Sequence, residues 1–243
     1  MCLYLANELT SKSATDNRVK NVLGKTVIWI IPMQNPDGAM YDIKGGRFQS
    51  WRKNRQPVGY GYYGVDLNRN YGYKWGGQGS SGTRSSETYR GTAAESGVEV
   101  KRVADFVRGR EGKIKTHVDV HTYSELVLWP FGYTHSVEMP AEDYALFQAM
   151  GKKMADTNGF SPEKSSDLYL TSGDSTDWMY GSQKIWSYTF ELAPKMGNSV
   201  GFYPKASAIA QETSRNREAF MLLWENTDCL WRVVGKESKC VKR

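Results

Sequence analysis

The stretch IKTHVDVHTYSELVLW at residues 114–129 contains two strand patterns that a short polar turn separates. Apolar and polar residues alternate from Ile114 to His121, and residues 126–129 are continuously apolar. Both patterns are typical of β-strands, since side chains of a strand point alternately to its two faces. The stretch therefore predicts two consecutive strands of one sheet.

Further strand and helix patterns lie on both sides of this stretch. Residues 186–192 predict another strand, and the apolar, largely β-branched run at 27–31 predicts a buried one. Helices are predicted at 92–107, at 141–158, from 177 onward and at 206–224. Strands that alternate with helices predict an α/β fold, in which a mixed, mostly parallel sheet is sandwiched by helices.

Two of the helix starts carry different capping signals. Thr92 and Glu95 have the spacing of a capping box, which predicts a helix that begins there. The first helical pattern already runs at Met1, with Leu5 and Leu9 in its apolar stripe, and no Ser, Thr, Asp or Asn precedes it as a cap. We therefore expect that the chain has lost upstream residues.

The composition excludes several function classes. The chain has 243 residues, 40% of them hydrophobic, and a net charge of +6, which suits one domain with a sizeable core. Its basic residues are spread along the chain without a cluster interleaved with aromatics, which argues against nucleic-acid binding. No apolar run approaches the roughly 20 residues of a membrane span.

The three cysteines give a weak indication of the compartment. Cys229 and Cys240 bracket a short segment that a disulfide would close, which would suit an oxidising environment. The sequence leaves open whether they pair. Cys2 is expected to be a small buried residue of the first helix.

Three features point to chemistry. In the irregular region at 39–91, Asn68 and Arg69 lie together with Arg52 upstream, and guanidinium groups bind carboxylates in a bidentate manner. His121 ends one predicted strand and Glu191 lies near the end of another, where ligands gather in open α/β sheets. Each feature alone has a structural alternative: arginines of a solvated loop, a histidine of the core, and a structural ion pair.

Taken together and in order, these features resemble the carboxypeptidase A/T family of zinc exopeptidases. Similarity extends over nearly the whole chain, from Leu3 to about Asn226. The nine motifs that carry it are NPDG at 35–38, WRK at 51–53, GVDLNRN at 64–70, SETY at 86–89, HTYS at 121–124, WPFG at 129–132, Tyr169, GDSTDW at 173–178 and TFEL at 189–192.

The resemblance implies a role for each site residue. His121 matches a zinc ligand, and Glu191 matches the general base that takes a proton from the attacking water. Arg52 matches the cation that stabilises the oxyanion, and Asp66 resembles the carboxylate that orients a zinc-ligating histidine.

The other assigned residues contact the substrate. Asn68 and Arg69 match the pair that binds the free C-terminal carboxylate, and Tyr169 matches the phenol that closes over substrate. Asp174 and Thr176 resemble the pocket floor, which implies a broad preference for apolar or aromatic residues first and basic residues second. Peptide and protein C-termini are thus the implied partners of a secreted, monomeric enzyme, with neither nucleic acid nor membrane involved.

The same resemblance implies that the zinc site is incomplete. The family's other two ligands form a His-x-x-Glu motif just before the helix that here begins at Met1, so only His121 of the three is present. His135 and Glu138 have that spacing but follow His121 and lie in a predicted loop. His117 and His121 would lie roughly 13 Å apart along a strand, too far to share a zinc ion.

Residues 1–226 are accordingly expected to be a truncated catalytic domain that lacks its N-terminal strands, followed by a short extension at 227–243. Missing strands leave backbone groups and apolar faces uncovered, so the isolated chain is expected to be unstable and inactive. Two alternatives remain: a non-catalytic module that binds peptide C-termini through Arg52, Asn68 and Arg69, and a gene-model artefact that begins at an internal methionine.

Overall fold

A computed structural model describes residues 1–240 and contains a four-stranded sheet in that part of the chain. Its strands are β3 (Thr116–Thr122), β4 (Leu126–Trp129), β5 (Ser161–Lys164) and β6 (Trp186–Leu192), while β1 (Pro57–Gly59) and β2 (Tyr62–Tyr63) form a separate hairpin. The strand order is β3-β6-β4-β5, with β3 parallel to β6, β4 antiparallel to β6, and β4 parallel to β5. The sheet is therefore mixed and mostly parallel, as predicted.

Helices surround the sheet. They are α1 (Cys2–Ser11), α2 (Asn17–Leu23), α3 (Pro36–Asp42), α4 (Val98–Arg108), α5 (Ala141–Asn158), α6 (Ser165–Leu168), α7 (Ser175–Gln183), α8 (Ile209–Ser214) and α9 (Arg217–Glu225). Short 3₁₀ turns lie at Lys44–Gly46, Leu67–Arg69, Ala206–Ala208, Leu230–Val234 and Glu237–Lys239. None of the helices described in residues 1–240 is both long enough and apolar enough to cross a membrane.

Alternating side chains of β6 show how helices cover both faces of the sheet. Tyr188 packs against Phe147 of α5 with ring centroids 5.4 Å apart, on one face. On the other face, the Thr189 hydroxyl lies 2.6 Å from the Thr176 hydroxyl of α7. Because neighbouring strand residues point to opposite faces, these contacts put α5 and α7 on opposite sides of β6.

The main core is rich in aromatic rings. Phe147, Tyr188 and Phe190 are fully buried, and Phe220 of α9 packs on Phe190 with centroids 5.0 Å apart. Offset and edge-to-face contacts of this kind add to the free energy gained from burial alone. The predicted helix 141–158 is confirmed as α5, which Gly159 ends in the left-handed conformation at φ +74°.

The capping box predicted at Thr92 and Glu95 is wrong. Helix α4 begins at Val98 with Gly97 as its N-cap. Glu95 instead adopts φ +58°, its backbone N–H donates to the Asn70 carbonyl at 2.6 Å, and its carboxylate accepts from Arg108 Nη1 at 2.8 Å. The residues before Val98 therefore form a turn that tertiary contacts hold, and these contacts override the local helix signal.

The predicted helix 206–224 is interrupted. A 3₁₀ turn at Ala206–Ala208 leads into α8, and α9 starts afresh at Arg217 after Asn216. Asn216 is fully buried, and its amide donates to the Glu212 carbonyl at 2.8 Å and accepts from the Asn158 amide at 2.8 Å. A side chain that binds the backbone of the preceding turn competes with the helical ladder, which accounts for the break.

The predicted buried strand at 27–31 is also wrong. These residues are extended but belong to no strand, and Val27, Trp29 and Ile31 are 68%, 44% and 50% exposed. The physical reason is a missing neighbour, because within residues 1–240 no backbone hydrogen bond joins this segment to the sheet.

The two ends of the described chain pack on the core. In α1 the predicted stripe is buried at Leu5 and Leu9, but Leu3 is 78% exposed, and Cys2 is a half-buried free thiol. Near the other end, Cys229 and Cys240 form a disulfide, and the adjoining residues Leu230 and Trp231 are buried in the main core. The boundary at 226 stays a prediction, and residues 241–243 of the predicted extension lie outside the described residues.

Candidate active site

Strands β3 and β6 bring His121 and Glu191 side by side. The two strands are parallel, and His121 is the register partner of Glu191. Burial is the main cause that raises the pKa of Glu191, and the Asp119 carboxylate adds to it against the opposing charges of His121 and Arg52. A buried carboxyl group with a raised pKa next to an imidazole is suited to accept and return a proton.

Asp119 holds His121, a contact that the sequence prediction missed. His121 Nε2 lies 3.0 Å from Asp119 Oδ2, and the Ser175 hydroxyl donates to the same oxygen. Burial alone would lower the pKa of His121, but the Asp119 carboxylate outweighs it and raises that pKa to about 9. The period-two pattern of β3 was the available signal, because residues 119 and 121 must share a face.

His117 shares that face but has a different partner. Its Nδ1 lies 2.8 Å from the Ser187 hydroxyl, and burial lowers its pKa. One residue of β3 separates each member of the row His117, Asp119 and His121, so His117 lies at the amino end of the strand, away from the carboxyl end that carries His121. This arrangement is consistent with the prediction that His117 does not join His121 at one metal ion.

The predicted site residues Asn68 and Arg69 lie in a 3₁₀ turn, Leu67–Arg69. The Asp66 carboxylate accepts from the Asn68 backbone N–H at 3.1 Å, which fixes the start of the turn. The Asn68 amide accepts from the Ser175 N–H at 2.9 Å and places its Nδ2 3.4 Å from His121 Nε2. The turn therefore joins the carboxyl end of β3 to the amino end of α7.

Arg69 is buried in this turn and its guanidinium is held from one side. Its Nε donates to the Gly79 carbonyl at 2.8 Å, and its Nη1 donates to the Asn68 carbonyl at 2.7 Å. The ring of Tyr169, which is 49% exposed, has its centroid 6.0 Å from the Arg69 guanidinium carbon. A buried, pre-positioned guanidinium beside an exposed phenol is well suited to bind a carboxylate.

Arg52 reaches the same region from the loop after α3. Its Nη2 lies 3.0 Å from Asp66 Oδ2, and its side chain is 43% exposed. Burial opposes the charged form, but the Asp66 carboxylate outweighs it and the pKa of Arg52 is raised. Asp66 Oδ2 is buried and, in the chain as described from Met1 to Cys240, no donor hydrogen-bonds to it with good geometry.

The predicted pocket residues Asp174 and Thr176 are both buried. The two Asp174 oxygens accept from the Asp177 N–H and from the Thr171 hydroxyl, each at 2.8 Å, so this carboxylate is the N-cap of α7. Thr176 pairs with Thr189 through their hydroxyl groups. Asp174 thus caps α7 and Thr176 joins α7 to β6, while their place at a pocket floor stays a prediction.

The donor groups present do not fit a zinc ion. Within residues 1–240, His, Cys, Asp and Glu side chains do not assemble into any group of three that would hold a metal. A catalytic zinc site takes three protein ligands and a water, and His121 is the one candidate placed at the strand ends. His135 and Glu138 lie on an exposed loop, where Glu138 accepts a hydrogen bond from the Tyr133 hydroxyl.

Comparison with known proteins gives a consistent result. The zinc carboxypeptidase family matches residues 1–219. A zinc carboxypeptidase of Saccharothrix mutabilis subsp. capreolus is 47% identical over 243 aligned residues, which cover 97% of this chain and 56% of that protein. Bovine carboxypeptidase B is 34% identical over 200 residues, which cover 80% of this chain and 46% of that protein.

Solved structures agree with the sequence relatives. The crystal structure of thrombin activatable fibrinolysis inhibitor superposes with a TM-score of 0.83 at 31% identity, over 93% of this chain and 57% of that one. The chain therefore spans about half the length of the relatives it matches.

Proposed function

We propose, since the chain belongs to the zinc carboxypeptidase family, that residues 1–240 form the substrate-binding and proton-transfer part of an exopeptidase that releases C-terminal amino acids from peptides. The observation that carries the proposal is the convergence of His121, Glu191 and the Asn68–Arg69 pair at the carboxyl ends of β3 and β6. Ligands of open α/β sheets bind at this edge.

Arg69 and Asn68 would bind the free carboxylate of the substrate. Arg69 uses two of its N–H groups on backbone carbonyls, and a guanidinium has five, so donors remain for an anion. The Asn68 amide nitrogen is held by the contact of its oxygen with the Ser175 N–H. Recognition of a terminal carboxylate in this way restricts cleavage to the last peptide bond.

Glu191 would take the proton of the attacking water and return it to the leaving amine. Its burial raises its pKa, which brings the carboxyl closer to the pH at which a general base and acid works best. Arg52, which is partly exposed and charged, would stabilise the oxyanion that develops on the scissile carbonyl. Tyr169 would close over the bound substrate.

The pocket for the terminal side chain would have Thr176 and Asp174 at its floor. The hydroxyl pair of Thr176 and Thr189 is neutral, which suits apolar or aromatic side chains. Asp174 keeps lone pairs beyond its two hydrogen bonds and would favour basic side chains second.

Two zinc ligands, the His-x-x-Glu motif, would have to come from polypeptide outside this sequence, which would make the chain a fragment of the active enzyme. Asp66, whose Oδ2 lies 3.0 Å from Arg52 Nη2, would be the carboxylate that orients one of these ligands. The greater length of the relatives supports an origin of the ligands outside this sequence.

We further propose a secreted, monomeric protein whose partners are peptide and protein C-termini. The Cys229–Cys240 disulfide supports this location, because disulfides persist in oxidising compartments.

A second candidate function is a non-catalytic module that binds peptide C-termini. The incomplete donor set for zinc in residues 1–240 favours it, since carboxylate binding by Arg69 and Asn68 needs no metal. Glu191 argues against it, because a binding module has no use for a buried carboxyl group beside the carboxylate site.

One experiment separates the two functions. A chimaera in which residues 1–240 replace the matching region of the Saccharothrix enzyme is assayed on blocked dipeptides that end in Phe or Arg. If the protein is an exopeptidase, the chimaera turns over these substrates with zinc and prefers those that end in Phe over those that end in Arg. In Glu191→Gln, turnover should fall roughly a hundredfold or more while substrate binding is retained. If the chimaera binds the dipeptide with a free C-terminal carboxylate but not its C-terminal amide, and no variant shows turnover, the non-catalytic binding module is supported. Equal binding of acid and amide would reject both.

A further inference from the structure

One carboxylate joins two loops that border the candidate active site. The loop at 43–50 leads from α3 towards Arg52, and the loop at 193–205 follows β6. Asp42 is the last residue of α3, and the Tyr203 hydroxyl donates to its carboxylate, 3.0 Å from each oxygen. Because this contact joins residues 161 positions apart in the chain, it fixes the two loops relative to each other.

Asp42 also closes the loop that precedes Arg52. Its Oδ1 accepts from the Trp51 backbone N–H at 2.7 Å, and its carbonyl accepts from the Gln49 N–H at 2.8 Å. Between these two donors, Ser50 adopts φ +54°, a left-handed conformation that persists in residues other than glycine where surrounding contacts impose it. Asp42 therefore sets the backbone at Trp51, from which the chain continues into Arg52.

The Trp51 ring is held on several sides. The Tyr41 ring contacts it edge-on with centroids 5.0 Å apart, and the Arg55 guanidinium carbon lies 4.6 Å from its centroid. The indole Nε1 donates to the Asn54 carbonyl at 3.3 Å. Since a shift of Trp51 would disturb all of these contacts, the position that Asp42 gives to its backbone is transmitted to the next residue, Arg52.

Tyr203 is held by its ring at the other end of the contact. The ring stacks on Phe48 with centroids 3.7 Å apart and an interplanar angle of 17°. Burial and the hydrogen bond to Asp42 raise the pKa of Tyr203, so its hydroxyl stays protonated and donates at neutral pH. The loop that carries Tyr203 begins directly after β6, so the contact connects the segment of Arg52 to the strand of Glu191.

We propose that Asp42 and Tyr203 are positioning residues of the exopeptidase and set the distance between Arg52 and Glu191. The inference rests on the proposed function, in which Arg52 stabilises the oxyanion and Glu191 moves the proton. Both groups act on the same scissile carbonyl, so their separation must match that of the oxyanion and the attacking water. In this role neither Asp42 nor Tyr203 touches substrate, and both act through the backbone that they hold.

The Saccharothrix chimaera described above provides the first test. Tyr203→Phe keeps the ring and its stack on Phe48 and removes only the donated hydrogen bond. Turnover, measured as kcat, should fall roughly tenfold, because a small displacement of a group that acts in the transition state is costly. Binding of the free-acid dipeptide, measured in the Glu191→Gln background, should not change, because Asn68 and Arg69 are not displaced.

Variants of Asp42 show whether Tyr203 acts through it. Asp42→Ala should lower kcat by more than Tyr203→Phe does, and Asp42→Asn should restore most of the loss, because an amide oxygen still accepts from the Trp51 N–H. Asp42→Ala combined with Tyr203→Phe should be no slower than Asp42→Ala alone, since coupled residues are not additive. Tyr60→Phe is the matched control, since Tyr60 is 89% exposed and lies in the β1–β2 hairpin region.

Hydrogen exchange of the Trp51 amide in the chimaera gives a readout that needs no turnover. Its N–H is bonded to Asp42, so exchange should be faster by roughly threefold or more in Tyr203→Phe and faster still in Asp42→Ala. Tyr60→Phe should leave this exchange rate unchanged.

Several results would overturn the proposal. They are an unchanged kcat in Tyr203→Phe, a change confined to substrate binding, and additive losses in the double variant. If the parent chimaera shows no turnover, the proposed function fails, and exchange decides about the contact: faster Trp51 exchange in Tyr203→Phe would support the hold of Tyr203 on this backbone, and an unchanged rate would overturn it. If Asp42→Ala does not fold, Tyr203→Phe decides alone.

Discussion

Two stretches of this chain have a strand pattern in their sequences but different structures. WSYTFEL at 186–192 is β6, a central strand with β3 on one side and β4 on the other. VIWIIPM at 27–33 is at least as apolar and β-branched, yet it is extended, half exposed and without strand pairing in residues 1–240. The difference teaches that β-propensity specifies an extended backbone, whereas pairing and burial depend on neighbours that the stretch itself does not contain.

The two stretches also differ in what surrounds the site. Within β6, Tyr188 and Phe190 are buried in the main core on the face opposite Glu191. Residues 27–33 and residues 117–120 of β3, the strand that carries His121, line a cleft of about 850 Å³. The strand of Glu191 thus rests on packed core, whereas the strand of His121 borders a cleft.

The largest effect on the free energy of unfolding is expected when a buried side chain of β6 is shortened. Phe190→Ala removes a fully buried ring that packs on Phe220 and Phe160, so the free energy of unfolding should fall by about 3–5 kcal/mol. Urea denaturation followed by fluorescence measures this loss. A loss below about 1 kcal/mol would mean that β6 is not the packed centre described here.

The next effect concerns β3, which lies between the two regions. In Asp119→Asn, the pKa of His121 should fall from about 9 to below its ordinary value of 6.5, because the carboxylate that opposes the effect of burial is lost. NMR titration of the imidazole measures this pKa. Asp105→Asn on the exposed face of α4 is the control and should leave it unchanged. An unaltered His121 pKa in Asp119→Asn would contradict the contact.

A smaller, pH-dependent effect concerns α1, which borders the cleft. Burial opposes ionisation of Glu8, but Lys12 and Arg217 outweigh it and lower its pKa. A lowered folded-state pKa stabilises the protein above the unfolded value of about 4.5, and this stabilisation disappears as pH falls through the folded pKa.

Glu8→Gln should therefore cost about 1–2 kcal/mol at neutral pH and progressively less in acid. Thermal unfolding between pH 7 and pH 3 checks this, with exposed Glu111→Gln as the control. A cost that is constant over this pH range would show that the loss is steric and not electrostatic.

The smallest effect is expected in the unpaired stretch. Ile31→Ala in the 243-residue chain should change the free energy of unfolding by less than about 0.5 kcal/mol, because the side chain is half exposed. The same denaturation experiment checks this. A loss comparable with that of Phe190→Ala would mean that residues 27–33 are buried in solution and would remove the contrast between the two stretches.

The sequence predicted most of the helices and strands whose own residues show a clear apolar pattern or a terminating glycine. The strands at 126–129 and 186–192 and the helix at 141–158 were placed to the residue, because apolar patterns and Gly159 define them. Strand β5 was missed, since Ser161–Lys164 is short, polar and contains a proline. The errors have different causes: distant contacts hold Glu95 in a turn, the Asn216 side chain bonds to the preceding helical turn, and residues 27–31 have no paired strand in residues 1–240.

The site was predicted less completely. Residues His121, Glu191, Asn68 and Arg69 were singled out by motif, and the structure brings His121 into contact distance of Asn68 and into register with Glu191. Their roles stay predictions. The contact of Asp119 with His121 was missed although both residues lie on one face of β3. The contacts of Ser175 with Asn68 and Asp119 were not predicted, because they depend on how α7 docks against β3.

We propose that residues 1–240 carry the substrate side of a carboxypeptidase site but an incomplete set of zinc ligands. Equilibrium dialysis of the 243-residue chain against zinc, with His121→Ala as the comparison, measures this. We expect the chain to retain less than one equivalent of zinc and His121→Ala to retain as little. One tightly held equivalent that is lost in His121→Ala would contradict the proposal, because it would show that the chain completes a zinc site by itself.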